Sequence, residues 1–199
     1  MNVFDSSEQY FDTTFSHETL QAIELIGTEF ESCEFNNCDF SDAIFDRCKF
    51  LSCTFNQCNL SLMKVKNSRF YDLTFTDCKL VGVDWTRASW PSFQVDAELS
   101  FNRCIMNDSS FFGLTLHELK LEECKLHEVD FREAKLKNAS MNYCDFTNSL
   151  FMHTDLEAVD FTESSNFSID LMENKLTNAK FTRFEALALL ESLDIELVD

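Results

Sequence analysis

A large apolar residue recurs at almost every fifth position of this 199-residue chain. The spacing holds from Leu25 to Trp85 and, after a slip of one residue, from Phe101 to Phe161. A period of five matches neither the 3.6-residue period of an α-helix nor the two-residue period of a strand. It therefore indicates a repeat architecture, in which each unit buries its apolar side chains against its neighbours.

A small or β-branched residue lies two positions before most of these central apolar residues. All nine cysteines occupy this second position, and Cys38, Cys58 and Cys78 follow one another at every fourth unit. A small buried position suits a thiol, so we expect free, buried cysteines rather than disulfides. A zinc site would need closer pairs than the C-x4-C spacing found here. We therefore predict no metal site and no cofactor.

The units resemble those of the pentapeptide-repeat family, which read approximately A-(D/N)-L-x-x. Cys38-Asp39-Phe40-Ser41-Asp42 and Cys144-Asp145-Phe146-Thr147-Asn148 are two examples. The resemblance implies an all-β fold, a right-handed quadrilateral β-helix with one unit on each of its four faces. We expect this β-helix over residues 20–181, with an N-terminal cap and a first irregular coil over residues 1–19.

The repeat ends before the chain does, and residues 182–199 form the predicted C-terminal cap. Phe184, Leu187 and Leu190 recur every three residues and Leu193 follows, which predicts a short amphipathic α-helix. Residues 195–198 are typical of a brief strand. A helix this short is not stable alone, and its apolar residues exceed what a cap requires. We therefore predict a homodimer whose interface contains Phe184, Leu187, Leu190 and Leu193, with a monomeric cap as the alternative.

Charge is distributed unevenly along the chain. The net charge is −19, which argues against nucleic acid as a ligand because phosphate contacts need Lys and Arg. Residues 1–46 contain eleven acids and no Lys or Arg, and residues 47–137 contain twelve acids against thirteen bases. Residues 138–174 contain seven acids and again no Lys or Arg. Such stretches are either ordinary solvated surface or a patterned field that attracts a basic partner.

Neither a catalytic site nor a membrane segment is predicted. The four histidines lie beside no Ser or Cys nucleophile motif, and three glycines are too few for a phosphate-binding loop. Acids scattered over convex faces lack the cleft that general acid–base catalysis needs. No apolar run is long enough to span a membrane, and the first residues do not resemble a secretory signal. We expect a cytoplasmic protein that is not an enzyme and does not bind membranes.

Three stretches outside the repeat consensus carry a narrower resemblance: residues 78–92, 99–114 and 190–197. They are similar to the topoisomerase-protecting branch of the family, which includes the Qnr quinolone-resistance proteins, the mycobacterial MfpA protein and the albicidin-immunity protein AlbG. The resemblance implies a rod-like dimer with an acidic surface that resembles duplex DNA. It also implies binding to DNA gyrase, or to topoisomerase IV, and protection from poisons such as albicidin or quinolones.

The acids of residues 138–174 are the predicted partner-binding residues, because dimerisation through the C-terminal caps would place them at the dimer centre. They are Asp145, Asp155, Glu157, Asp160, Glu163, Asp170 and Glu173. We expect them to form one acidic band that crosses the two-fold axis. The alternative function is a pentapeptide-repeat scaffold, or a protein-interaction module, that is unrelated to topoisomerases.

The five-residue count is unbroken from Leu20 to Trp90 and is interrupted at residues 91–100. This stretch contains one net extra residue and the only proline of the chain, Pro91. Proline removes a hydrogen-bond donor from a strand ladder and is typical of a bulge. We therefore expect a kink or a changed twist within 91–100 rather than a long loop. Some Qnr proteins carry two long projecting loops, so this expectation favours the loopless, AlbG-like part of the branch.

Overall fold

The computed structural model describes residues 4–90, 98–193 and 195, and within that part the chain is a parallel β-solenoid with short strands and little helix. Two 3₁₀ helices cover Trp85–Arg87 and Glu185–Leu193. The strands are β1 Gln9–Phe11, β2 Thr14–Ser16, β3 Glu24–Ile26, β4 Glu29–Glu31, β5 Glu34–Asn36, β6 Ile44–Asp46, β7 Lys49–Leu51, β8 Thr54–Asn56, β9 Arg69–Tyr71, β10 Leu73–Thr76, β11 Leu99–Asn102, β12 Lys120–Glu122 and β13 Ser140–Asn142.

Four faces result, because each face takes one five-residue unit and the chain returns to the same face after four units. Face 1 contains β1, β4, β7 and β9, and face 2 contains β2, β5, β8 and β10–β13 in that order. Face 3 is formed by single bridges such as Thr19↔Asp39 and Asp39↔Asn59. Face 4 contains β3 and β6 and continues through bridges such as Asp130↔Leu150. The predicted quadrilateral β-helix is confirmed.

The central residues of the repeat form one continuous core. On face 2 the rings of Phe35, Phe55, Phe75 and Phe101 stack on one another, with centroids 4.7–4.9 Å apart. This separation equals the spacing of neighbouring strands in a sheet, so each ring lies directly over the ring of the previous coil. The coil also begins earlier than residue 20, since β1 and β2 pair in register with β4 and β5.

The chain turns from one face to the next at the second residue after each central position. Nearly all these corner residues have positive φ, for example Asp42 (58°), Arg47 (56°) and Leu62 (59°). Most residues avoid this left-handed region, whereas glycine enters it freely. Gly27 and Gly82, with φ of 69° each, occupy the same corner position. The repeat therefore depends on a backbone conformation that its side chains oppose.

The small inward residue does more than fill space. Ser68 Oγ donates a hydrogen bond to the main-chain oxygen of Phe45 (2.9 Å) and accepts one from the main-chain N–H of Cys48 (2.9 Å). A thiol takes the same place in other coils, since Cys58 Sγ accepts from the N–H of Cys38 at 3.4 Å. Cys and Ser therefore recur at this position because they satisfy a buried N–H that lies outside the strand ladder.

Six of the nine cysteines form a single column on face 3. They are Cys38, Cys58, Cys78, Cys104, Cys124 and Cys144, and all nine cysteines are buried and free. Sγ of Cys58 donates to the main-chain oxygen of Phe35 at 3.3 Å, and Sγ of Cys78 donates to that of Phe55 at 3.3 Å. Burial raises the pKa of the Cys53 thiol, on face 2, to about 12. A thiol that stays protonated keeps its hydrogen-bond donor.

The interruption at residues 91–100 is larger than the sequence predicts. Phe75 pairs with Phe55 in the previous coil and with Phe101 in the next. The chain from Phe75 to Phe101 is six residues longer than the chain from Phe55 to Phe75, so the insertion contains six residues and not one. Ser89 N donates to Ser68 O, in the same register as in the earlier coils. Leu73 N donates to Glu98 O, so the pairing has resumed by residue 98. The insertion therefore lies between residues 89 and 98. The expected kink falls mainly on residues 91–97, which are outside the described part of the chain.

A second irregularity follows Phe161. Residues that pair between neighbouring coils are four full units apart in the sequence at Asp145↔Ser165 and again at Asp155↔Lys175. At Phe151↔Ile169 the paired residues are two positions closer. Phe167 and Ile169 are buried in place of the expected central residue. The break in the sequence period at Asn166 is therefore a local repacking of one coil.

The C-terminal cap differs in kind from the prediction. Residues Glu185–Leu193 form a 3₁₀ helix and not an α-helix. Its buried residue is Leu189, which packs on the solenoid core, and this places Phe184 and Leu187 outward. Of the predicted strand at 195–198, only Ile195 is described, and it is not in a strand. None of the described helices is long and apolar enough to cross a membrane.

The hydrogen bonds of Ser68 lead to a stability prediction. Replacing Ser68 with Ala leaves the N–H of Cys48 and the carbonyl of Phe45 buried without this partner. We expect Ser68→Ala to lower the free energy of unfolding by about 1–3 kcal/mol. Denaturant unfolding followed by circular dichroism measures the change.

The matched control is Ser68→Cys, because cysteine makes the same two contacts at the equivalent position of other coils, as Cys78 does. We expect this variant to retain most of the stability. If Ser68→Cys is as unstable as Ser68→Ala, the hydrogen-bonding role of the position is refuted.

Candidate functional site: the acidic surface

The seven predicted partner-binding acids lie around the C-terminal coils and do not form one stripe. Asp155 and Glu157 are on face 1, Asp160 is on face 2 and Asp145 is on face 3, as their bridges to neighbouring coils show. The other members are Glu163, at the corner after face 2, and Asp170 and Glu173, in the irregular coil beside face 4. Acids one or two units apart point in different directions, since successive units occupy successive faces. The expected acidic band is therefore a ring.

Lysines from outside the 138–174 stretch reduce the charge of this ring. Glu157 is paired with Lys137 at 2.7 Å and also with Lys175. Lys175 reaches Asp155 as well, at 3.4 Å, and Lys180 pairs with Asp160 at 3.0 Å. Each lysine lies about one coil from its partner, so counting along the sequence does not reveal these contacts. A search for opposite charges separated by one coil, or four units, would have found them.

Two further acids of the ring contact histidines. Asp145 Oδ2 lies 2.8 Å from Nε2 of His127, and Glu173 Oε2 lies 3.4 Å from Nδ1 of His153. Among the described residues, Glu163 and Asp170 have no ion-pair partner within 4.0 Å. Three of the seven carboxylates, those of Asp155, Glu157 and Asp160, are therefore paired with lysine, whereas Glu163 and Asp170 carry unpaired charge.

These contacts favour the ionised carboxylates. Lys137 and Lys175 together lower the pKa of Glu157 to about 2. Partial burial raises the pKa of Asp160, but hydrogen bonds from Thr162 and Lys180 outweigh it and lower the value to about 2. For Asp145 the opposing effect of burial is again outweighed, and hydrogen bonds led by that of Asn166 hold its pKa well below the ordinary range.

The opposite end of the solenoid is the more strongly charged. Of the eleven acids in residues 1–46, Glu29 pairs with Lys49, and Asp46 pairs with Arg47 and Lys66. The other nine have no ion-pair partner within 4.0 Å among the described residues. We call this set the N-terminal acids: Asp5, Glu8, Asp12, Glu18, Glu24, Glu31, Glu34, Asp39 and Asp42. Unpaired and mostly exposed, they are the main source of the negative field.

The predicted dimer residues lie at the C-terminal end of the rod. The exposed fractions are 82% for Phe184, 48% for Leu187 and 40% for Leu193. Leu190 is partly buried. Three of the four are thus available for contact with another molecule. Leu189, which the sequence pattern did not single out, is the residue that anchors the helix to its own coil.

Among the described residues, no group of three or more His, Cys, Asp or Glu side chains is arranged so that it could hold a metal ion. Some carboxylates pair with cationic side chains of neighbouring coils, as Asp77 does with Arg103 and Asp160 with Lys180, and the others are unpaired. The arrangement is suited to electrostatic recognition of a cationic surface.

The low pKa of Glu157 gives a testable dependence on pH. Replacing Lys137 and Lys175 with Met removes both positive charges, and we expect the pKa of Glu157 to rise from about 2 toward the ordinary glutamate range. A group with a depressed folded pKa stabilises the fold above its unfolded pKa, and this stabilisation is lost as pH falls through the folded pKa. NMR titration of the Glu157 carboxyl carbon measures the shift directly.

Lys180→Met provides the control for that titration, since Lys180 pairs with Asp160 and not with Glu157. It is expected to raise the pKa of Asp160 and leave that of Glu157 in place. An unchanged Glu157 titration in the variant lacking Lys137 and Lys175 would contradict the ion-pair geometry.

Solved structures share this fold. A trypsin-treated variant of QnrB1, described as a plasmid-mediated fluoroquinolone resistance protein, is 21% identical, with 98% of this chain and 93% of that chain covered and a TM-score of 0.62. Full-length QnrB1 is 20% identical, with 94% of this chain and 100% of that chain covered and a TM-score of 0.53. Among curated protein sequences, none gave a significant match.

The family assignment rests on the sequence itself. The model of the pentapeptide repeat region matches residues 28–111 and 95–161, which together cover more than half of the chain. The structure agrees with it in coil length, in the faces and in the paired inward positions. This chain therefore belongs to the pentapeptide-repeat family.

Proposed function

We propose that this protein is a DNA-mimicking acidic rod that binds a type II topoisomerase, DNA gyrase or topoisomerase IV, and protects it from poisons such as quinolones or albicidin. The observation that carries the proposal is a rigid solenoid with a net charge of −19 whose fold is similar to that of QnrB1, a fluoroquinolone resistance protein. A topoisomerase holds DNA on a basic surface, and a rod of fixed carboxylates offers that surface a competing anionic ligand.

The stacking of coils explains why this fold suits the role. Outward side chains of neighbouring coils are held about 4.8 Å apart, so carboxylates on the rod keep fixed positions. A flexible acidic chain would lose conformational entropy on binding, whereas a preorganised rod loses little. The N-terminal acids supply long-range attraction, which is screened over about 8–10 Å near physiological salt.

Dimerisation through the C-terminal end is the second part of the proposal. The exposed side chains of Phe184, Leu187 and Leu193 form an apolar end that a second copy covers around a two-fold axis. Two rods joined in this way place the seven acids of the C-terminal ring at the dimer centre and the N-terminal acids at its two tips. The proposed contact with the topoisomerase is the centre, because there the two-fold symmetry of the dimer can match that of the enzyme.

The dimer is tested by placing charge on the apolar end. We expect Phe184→Asp combined with Leu187→Asp to convert a dimer into a monomer, because a buried interface cannot accommodate unpaired carboxylates. Light scattering at micromolar concentration measures the mass. Tyr143→Asp, at an exposed aromatic residue on the side of the rod, should leave the mass unchanged. A monomeric unmodified protein would refute the dimer.

The function is tested with two matched charge reversals. Glu163→Lys with Glu173→Lys changes the C-terminal ring, and Asp42→Lys with Glu31→Lys changes the N-terminal acids. Each pair contains one positive-φ corner residue, Glu163 at 60° or Asp42 at 58°, so the backbone cost is similar. The readout is gyrase supercoiling with and without a quinolone, together with direct binding at two salt concentrations.

We expect the C-terminal pair to weaken binding and protection by about tenfold or more, which corresponds to about 1.4 kcal/mol. The N-terminal pair should mainly slow association and reduce the dependence of binding on salt. Equal losses from both pairs would place the contact away from the dimer centre. The absence of binding by the unmodified protein would instead favour the alternative function, a scaffold unrelated to topoisomerases.

A further inference from the structure

Face 4 carries a row of exposed apolar side chains along its C-terminal half. We call Phe112, Leu150, Met152 and Met172 the apolar stripe. Their exposed fractions are 41%, 47%, 47% and 79%, which are high for large apolar residues on the side of the rod. A contiguous exposed apolar area rimmed by polar residues is typical of an interaction site.

Apolar members of the stripe occur in three of four successive coils, because Arg132 takes the position between Phe112 and Met152. Gly113 N donates to Arg132 O and Glu133 N donates to Met152 O, so Phe112, Arg132 and Met152 follow one another in neighbouring coils. Arg132 does not interrupt the apolar surface with a free charge. Its guanidinium lies 5.7 Å from the centroid of the Phe112 ring and binds the carboxylate of Asp130 through Nε (2.9 Å) and Nη2 (2.8 Å).

A groove of about 450 Å³ lies within the stripe. Leu150 and Met152 form one side, and Ser168 and Asp170 of the next coil form the other. The groove occurs where the pairing separation shortens at Phe151↔Ile169, so the backbone of the irregular coil no longer lies directly over the previous one. The stripe is therefore concave at this point.

Acidic corners border the stripe on both sides. On one side, Asp108 and Glu128 occupy the corner before face 4 in successive coils. On the other side, Glu133 occupies the corner after face 4, and Glu173 lies beyond the same edge. Asp108, Glu128 and Glu133 have no ion-pair partner within 4.0 Å among the described residues. An apolar centre between two negative rims is complementary to a ligand with an apolar face and positive flanks.

We propose that the apolar stripe binds an amphipathic helix of another protein, with one apolar residue per turn and Lys or Arg on both sides. Coils about 4.8 Å apart nearly match the helical pitch of about 5.4 Å, so successive turns of such a helix lie over successive coils. The four coils of the stripe span about 14 Å, the length of about ten helical residues. Methionine side chains adapt to varied apolar anchors, and helix-in-groove binding uses such surfaces.

A second copy of this chain does not meet the charge requirement. Its exposed apolar helix, Glu185–Leu193, has an acidic first turn and no basic residue in its last turn. Two acidic surfaces repel one another, whereas a cationic helix is attracted from both rims of the stripe. The stripe shares Asp170 and Glu173 with the C-terminal ring, but its test uses no topoisomerase, so this inference and the proposed function can fail separately.

The test uses the full chain and a labelled probe peptide of about 14 residues with leucine at every third or fourth position and lysine elsewhere. We expect binding in fluorescence anisotropy. In spectra of methyl-labelled methionine, the signals of Met152 and Met172 should shift. The signals of Met63, Met106 and Met141, which are buried in the core, should stay in place. A peptide of the same composition with its apolar residues scrambled controls for charge alone.

The variant Leu150→Ser with Met152→Ser removes half of the stripe without disturbing the core, and we expect it to weaken binding of the probe by about tenfold or more. Leu62→Ser, at another exposed leucine (52%), should leave the affinity unchanged. Equal binding of the scrambled peptide, equal affinity of the stripe variant, or methionine shifts outside the stripe would each overturn the proposal. So would shifts of the Met152 and Met172 signals caused, in the absence of the probe, by neutral phosphatidylcholine vesicles or by a higher protein concentration, because these results would assign the stripe to a membrane or to a second copy.

Discussion

Each coil of this protein closes because the backbone makes a left-handed turn after every face. Nearly every residue two positions after a central side chain takes positive φ, and aspartate, glutamate, arginine and leucine all occupy this position. Such a conformation costs an ordinary residue about 1–2 kcal/mol, so a single coil would not hold it. Stacking offsets the cost through ring contacts such as Phe35 on Phe55 and through hydrogen bonds between neighbouring coils. The cooperative unit is therefore the stack and not the repeat.

The small inward residue links packing to hydrogen bonding. A thiol or hydroxyl there fits a narrow core and also satisfies one main-chain N–H and one carbonyl, as Ser68 does. This dual role explains why cysteine, which has a weak donor, and serine, which is polar, recur at the same buried position. The acids outside the core carry no such constraint, and evolution can vary them without changing the fold.

Much of the fold could be predicted from the sequence, since a five-residue period and two inward positions already define the coil and its core. Less of the candidate site could be predicted. Lys175 pairs with Glu157 of the adjacent coil, and it lies outside residues 138–174, so a count of charges within that stretch omits it. The insertion before Glu98 was underestimated because the period repeats every five residues and cannot distinguish one extra residue from six. The apolar spacing of Phe184 and Leu187 could not separate a 3₁₀ helix from an α-helix in so short a segment.

The lengthened step between Phe75 and Phe101 has a consequence for how such rods diversify. The ring of Phe101 stacks on that of Phe75 as closely as Phe75 stacks on Phe55, so the coils on either side keep the same rotational phase. Chain length at that corner is thus uncoupled from the alignment of the four faces along the rod. Residues can be gained or lost there while every docking surface before and after it stays in place.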